Sequence, residues 1–267
     1  MQILTGRAIK HVLSIIMLMV SVLNAQTKTI SDKDVTRETA AAHKVFIVPF
    51  ESRMYMSEVD HRFNEETNMS SKEIRFRFRM GLTEAINRSF KSMGYTAINP
   101  LLDTAKYIKD LSTIYGNLGY AYLRIPDQNN YKVPTKEKEE RKVQKGQLTV
   151  ETNSEERFMD ARLSDTKLLP ALHSKYATDV FVFINQLDIK AANSQEEIIP
   201  GEAKRKLVVH YTIFTTEGVE INSGVVIELI EADLNNPKKI IEKYFPKVAQ
   251  QISQRVTKAL SSPVKKQ

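Results

Sequence analysis

The chain contains no cysteine. That excludes disulfides, thiolate catalysis and a lipid anchor on a cysteine after a leader. It also lacks the H-E-x-x-H, G-x-S-x-G and Gly-rich phosphate-loop patterns that carry metal, serine and nucleotide chemistry. Gly81, Gly94, Gly116 and Gly119 are isolated or turn-forming. No internal repeat is evident, and no apolar run beyond residue 25 approaches the length that spans a bilayer.

At the N-terminus, Arg7, Lys10 and His11 precede an uncharged run from Val12 to Leu23, and V-L-N-A-Q follows. As a helix the run reaches only about 18 Å, short of the roughly 30 Å hydrocarbon layer. With Ala25 as the small residue before the cut, residues 1–25 read as a cleaved signal peptide with Gln26 as the new N-terminus. Export to the periplasm, or to the periplasmic face of the outer membrane, is the expectation. An exported, cysteine-free chain of this size fits a bacterial envelope. The formal net charge is +7. Losing Arg7 and Lys10 leaves about +5, which suits anionic surfaces without requiring them. Export argues against a nucleic-acid partner.

Residues 26–43 form a polar lead-in. Val45 to Phe50 is apolar at nearly every position and rich in β-branched and aromatic residues, the pattern of a strand covered on both sides. Pro49 ends its regular pairing. Ser70 and Glu73 form a capping box, followed by an apolar stripe through Ile74, Phe78, Leu82, Ile86 and Phe90 to Gly94. The I-R-F-R-F-R alternation inside it is strand-like, but the cap and the continuing stripe predict a helix. A short strand over 95–98 and a helix over 103–115 follow.

Residues 120–147 commit to no element, and 127–156 read as an exposed polar insertion with a small strand over 148–150. A helix within 165–176 leads to the second apolar strand, Val180 to Ile184, which continues to Lys190. Alternating runs over 206–215 and 219–230 predict a long antiparallel hairpin with a bulge at 222–224. Asn236-Pro237 opens the last helix, which Pro246 is expected to kink or split. Residues 261–267 are a basic tail. The fold class is therefore α/β (α+β), a mixed β-sheet with packed helices in the order β-α-β-α-β-β-β-α, within one domain over 44–260.

The candidate site is the loop after the first strand together with the start of the first long helix. The loop over 51–66 is predicted to be irregular and holds Arg53, Tyr55, Asp60, His61 and Glu65. Its bland reading is a solvated loop whose charges pair locally. A metal-assisted hydrolase using Asp60, His61, Glu65 and Asp179 requires those groups to converge. Asp179 alone reads as a turn or cap residue. On the helix, Arg75, Arg77, Arg79 and Arg88 form a basic, mostly solvated face, with Glu84 placed to pair with Arg88. That face suggests a second alternative, a module for anionic ligands or glycans. Phe76 lies off the main stripe, as an exposed contact residue or a second buried flank. Arg53, Tyr55, Asp60, His61, Arg75, Phe76 and Arg79 thus mark the expected interaction surface. No catalytic residue, metal ligand or cofactor is assigned.

The leader, the K-V-F-I-V-P-F-E start and the A-T-D-V-F-V-F-I segment resemble a group of bacterial envelope α/β domains. The group comprises the curli-secretion outer-membrane factor, the amino-terminal domain of the Tol–Pal translocation protein and the outer-membrane activators of penicillin-binding proteins. The likeness covers residues 44–260 at the level of pattern. The chain departs from it in lacking a lipoprotein cysteine and in its longer polar segment. The resemblance implies a non-catalytic envelope domain that works through contacts with another envelope protein.

Overall fold

A computed structural model of the chain describes residues 38, 40–135, 142–144, 147–149, 157–191 and 204–261, with the backbone alone for 142–144 and 147–149. The signal-peptide expectation, most of the lead-in, half of the polar insertion and the tail after Ser261 lie outside the described residues.

The first part of the fold holds β1 (Lys44–Val48), β2 (Tyr55–Ser57), α1 (Asp60–Thr67), α2 (Ser71–Ser92), β3 (Thr96–Ile98) and α3 (Thr104–Gly116). The middle holds β4 (Leu118–Arg124), β5 (Lys142–Gln144), β6 (Gln147–Thr149), β7 (Arg157–Leu163) and α4 (Leu168–Tyr176). The chain ends with β8 (Val180–Lys190), β9 (Lys204–Thr215), β10 (Glu220–Glu231) and α5 (Pro237–Ser261). The main sheet runs β10-β9-β8-β1-β3, and β2 pairs with β8 off this path. β1 is parallel to both β3 and β8, whereas β9 is antiparallel to both β8 and β10. The fold is thus a mixed α/β arrangement with helices flanking the sheet, in the expected order of principal elements.

Local chemistry sets the element ends. Ser70 accepts the Glu73 amide and caps α2, while Asp103 and Asn236 cap α3 and α5. Gly94 closes the first long helix at φ +96°, in the left-handed region. The apolar runs at β1 and β8 are covered on both faces. On one face Val45, Ile47, Val180, Val182, Val209 and Tyr211 meet Phe63, Phe78 and Phe245 from α1, α2 and α5. On the other, Phe46, Val48, Phe181 and Phe183 meet α3 and α4. Each such side chain contributes on the order of 1.5–3 kcal/mol by leaving water.

Three expectations need correction. The 51–66 loop is not irregular: it contains a short 3-10 turn, β2 and most of α1. β2 is held by parallel pairing to Leu187–Ile189 at the far end of β8. Residues 120–147 begin with β4, which forms an antiparallel ribbon with β7. Of the two outcomes expected at Pro246, the split does not occur: the last helix runs as one element from Pro237 to Ser261. Pro246 sits on its exposed side, where water can satisfy the carbonyl that loses its donor, while Tyr244, Phe245, Val248 and Ile252 stay buried on the other side.

Candidate functional site

The residues singled out from sequence divide into surface and interior. Arg53 is exposed and donates to both carboxylate oxygens of Glu51 at 3.0 Å. His61 and Glu65 lie exposed on α1. Phe76 is 59% exposed on α2, which settles its two readings in favour of the surface. Arg75 is half-buried, and its Nε finds no hydrogen-bond partner among the described residues.

Tyr55 belongs to the interior. It is 6% exposed and stacks on Phe78 with ring centroids 5.8 Å apart. Its hydroxyl donates to Asp60 Oδ1 at 2.6 Å. Burial, then the Asp60 carboxylate, pushes the phenol well above its ordinary range. Arg79 is also structural. Its Nε donates to the Phe50 carbonyl at 2.7 Å and its Nη2 to the Tyr115 hydroxyl at 2.9 Å. That hydroxyl donates in turn to the Pro49 carbonyl at 2.7 Å. Pro49 ends β1 and leaves two carbonyls without strand partners, and Arg79 and Tyr115 satisfy them. The expectation that the α2 arginines form one solvated face therefore fails at Arg79. Arg77 and Arg88 do pair along the helix, with Glu73 and Glu84.

The hydrolase constellation does not assemble. Asp179 precedes β8, where it accepts the Lys44 amide at 2.7 Å and contacts His43 Nδ1. Asp60 follows β2 at the opposite end of β8. At about 3.3 Å per residue the 11-residue strand keeps them roughly 30 Å apart. Among the described residues no group of three His, Asp or Glu side chains is placed to hold a metal ion.

A buried polar cluster that the sequence reading did not single out lies under the β4–β7 ribbon. β7 docks on the sheet through side chains that bond its free backbone edge. The Met159 amide donates to His210 Nδ1 at 3.0 Å, Asn185 Nδ2 donates to the Met159 carbonyl at 2.9 Å, and the Ala161 amide donates to Thr212 Oγ1 at 3.1 Å. Because His210 Nδ1 accepts, its Nε2 carries the proton toward Asp188 Oδ2 at 3.2 Å. Both ring nitrogens are engaged, so this His–Asp pair offers no base to a substrate. The signal available in the sequence was polar: Asn185, His210 and Thr212 interrupt otherwise apolar strands on one face.

Two carboxylates complete the cluster. Asp160 is fully buried, and Glu220 is 8% exposed. Thr212 Oγ1 donates to Asp160 Oδ1 at 2.7 Å, and the Tyr131 hydroxyl to Glu220 Oε1 at 2.6 Å. Arg162 lies 2.6 Å from Asp160 Oδ2 and 3.7 Å from Glu220 Oε2. The first approach is a charge contact without hydrogen-bond alignment, and neither of these two oxygens has a hydrogen-bond partner among the described residues. Burial, then the Glu220 charge, pushes the Asp160 carboxyl up to about 7, against the opposing pull of Thr212 and Arg162. With no surface exposed, Asp160 fastens the ribbon to the sheet and cannot exchange protons directly with a bound substrate.

No family model matches the sequence, and no curated protein matches it. Among solved structures, the lipoprotein GNA1162 from Neisseria meningitidis aligns over 79% of this chain and 99% of its own, at 9% identity and a TM-score of 0.34.

Proposed function

We propose that the chain is a non-catalytic interaction or assembly domain of the cell envelope, exported to the periplasm or to the periplasmic face of the outer membrane. Its partner is another envelope protein. The observation that carries this reading is Phe76, a large aromatic 59% exposed on a well-anchored helix between Arg75 and Arg77. Aromatic and arginine side chains together are the usual anchors of protein contacts. The apparent acid–base groups are used inside the fold: Asp188 and His210 hold β7, and Asp160 is sealed beneath the ribbon.

The test is capture from solubilised envelopes by the full chain and by a Phe76→Ser variant. Proteins retained by the first and lost with the second support the reading. Identical capture by both, or no capture by either, rejects it. Fusion of residues 1–25 to alkaline phosphatase, which is active only after export, checks the compartment. An inactive fusion rejects the envelope assignment.

A further inference from the structure

Three positive side chains of α2 have no carboxylate partner among the described residues. Lys72 is exposed and forms neither an ion pair nor a hydrogen bond there. Arg75 is half-buried, forms no ion pair either, and holds a buried Nε without an acceptor. Arg79 is fixed by neutral groups, the Phe50 carbonyl and the Tyr115 hydroxyl, which leave its charge uncancelled.

These residues share one side of the helix with Phe76. Lys72 stands one turn before both Arg75 and Phe76, and Arg79 stands one turn after both. The Phe76 ring, 59% exposed, is therefore set among cations. One further turn along, Met80 is half-buried against the core that faces α3.

The neighbouring acids are engaged elsewhere. Among the described residues the ion pairs of α2 are Arg77 with Glu73 and Arg88 with Glu84, and neither uses a cation of this side. Glu51 takes two nitrogens of Arg53 and the Tyr120 hydroxyl. Asp60 accepts the Tyr55 hydroxyl. Neither it nor Glu65 or Glu66, the other acids of α1, pairs with α2 among the described residues.

A cover for this side must bring negative charge and an apolar surface together. Arg75 presents a planar fork that matches a carboxylate, and its Nε gives up no bond in turning outward to meet one. A protein segment supplies both the carboxylate and the apolar contact. A layer of anionic lipid headgroups fits less well, because Glu73 lies one turn before Phe76 with its side chain 45% exposed and would meet charge of its own sign.

We propose that the side of α2 formed by Lys72, Arg75, Phe76 and Arg79 docks an acidic segment of the partner protein. Carboxylates of that segment pair with Arg75 and Lys72 beside the fixed charge of Arg79, and an apolar side chain covers Phe76. The proposal rests on reading the chain as an interaction domain and names the chemistry of the partner's surface.

The test places the photoreactive residue p-benzoylphenylalanine at position 76 of the full chain and irradiates it in solubilised envelopes. The ring should link to a protein, and mass spectrometry of the linked stretch should find more Asp and Glu than Lys and Arg. The yield should fall with added salt. Lys72→Glu and Arg75→Gln should each lower it, and together by at least about tenfold. Lys72 is exposed and Arg75 has no bond to lose, so the thermal midpoint should hold. Arg77→Gln removes a positive charge already paired with Glu73 and should leave the yield unchanged.

A neutral or basic linked stretch, a yield that survives the double substitution, or a link to a second copy of this chain overturns the proposal. So does flotation of the chain with phosphatidylglycerol vesicles that Lys72→Glu/Arg75→Gln abolishes, because the cover would then be a membrane. A protein linked through a stretch that is not acidic would leave the proposed function standing and remove this inference alone. No protein link at all would reject both.

Discussion

Gly81 of α2 lies against Ile241 of α5 so closely that a methyl carbon at Gly81 would stand 2.7 Å from Ile241 Cγ2. Glycine in a helix interior costs about 1 kcal/mol relative to alanine. Here it permits the long helices to approach on one face of the sheet. Ile241 is β-branched and stiff at χ1, so it yields poorly. Gly81→Ala is expected to lower stability by about 1–2 kcal/mol, since overpacking exceeds the gain in helix propensity. In an Ile241→Ala background the same change should become stabilising. Urea denaturation of the four proteins in the double-mutant cycle checks that reversal of sign, and additive effects would refute the contact.

Arg79 replaces strand pairing for two carbonyls at the end of β1, directly at Phe50 and through Tyr115 at Pro49. Removing a charged donor from partly buried acceptors should cost roughly 2–3 kcal/mol. Arg79→Ala is therefore expected to lower the midpoint of urea unfolding without changing its slope. Arg77→Ala, which loses an exposed helical pair with Glu73, should change stability by less than about 0.5 kcal/mol. Equal effects of the two substitutions would contradict the assigned difference.

The contrast between these arginines shows how far the sequence could be read. A stripe at helical spacing, a capping box and two apolar runs are local signals, and they mark α2, β1, β8 and the main order of the sheet. The site was less legible because its decisive contacts are long-range. Arg75, Arg77 and Arg79 look alike in the sequence, yet only Arg79 meets the end of β1. β7 was missed because its buried set, Phe158, Asp160 and Ala161, includes a carboxylate and breaks the apolar alternation. β2 was missed because three residues carry almost no period. Its position depends on the far end of β8, more than a hundred residues away in the chain.

Phe76 separates an interaction role from a packing role. The side chain is 59% exposed and lies off the buried stripe of α2. Phe76→Ser should leave thermal stability within about 0.5 kcal/mol of the parent, as surface substitutions generally do. Phe78→Ser, on the buried stripe against Tyr55, Phe63 and Phe245, should cost about 3–5 kcal/mol. Thermal melts of both variants check the placement of the two rings. A large loss at Phe76 would make it part of the core and remove the main support for the proposed contact surface.

Asp160 gives the fold a pH dependence of definite sign. Its folded-state carboxyl is pushed up to about 7, first by burial and then by Glu220, whereas an unfolded aspartate titrates near about 4. Between those values the folded protein holds a proton that the unfolded chain has lost. Stability contributed by the neutral carboxyl is full below about pH 4 and falls as pH rises, being lost above about pH 7. Asp160→Asn keeps an acceptor for Thr212 and turns its amide toward Arg162, which must shift to pair with Glu220 alone. The variant should match the parent at pH 5 and be more stable by roughly 1–3 kcal/mol at pH 8, where the parent carries both charges. Urea denaturation at the two pH values measures the difference. A variant less stable than the parent at pH 8 would mean that ionised Asp160, paired with Arg162, fastens β7 to the sheet, and the burial argument would fail.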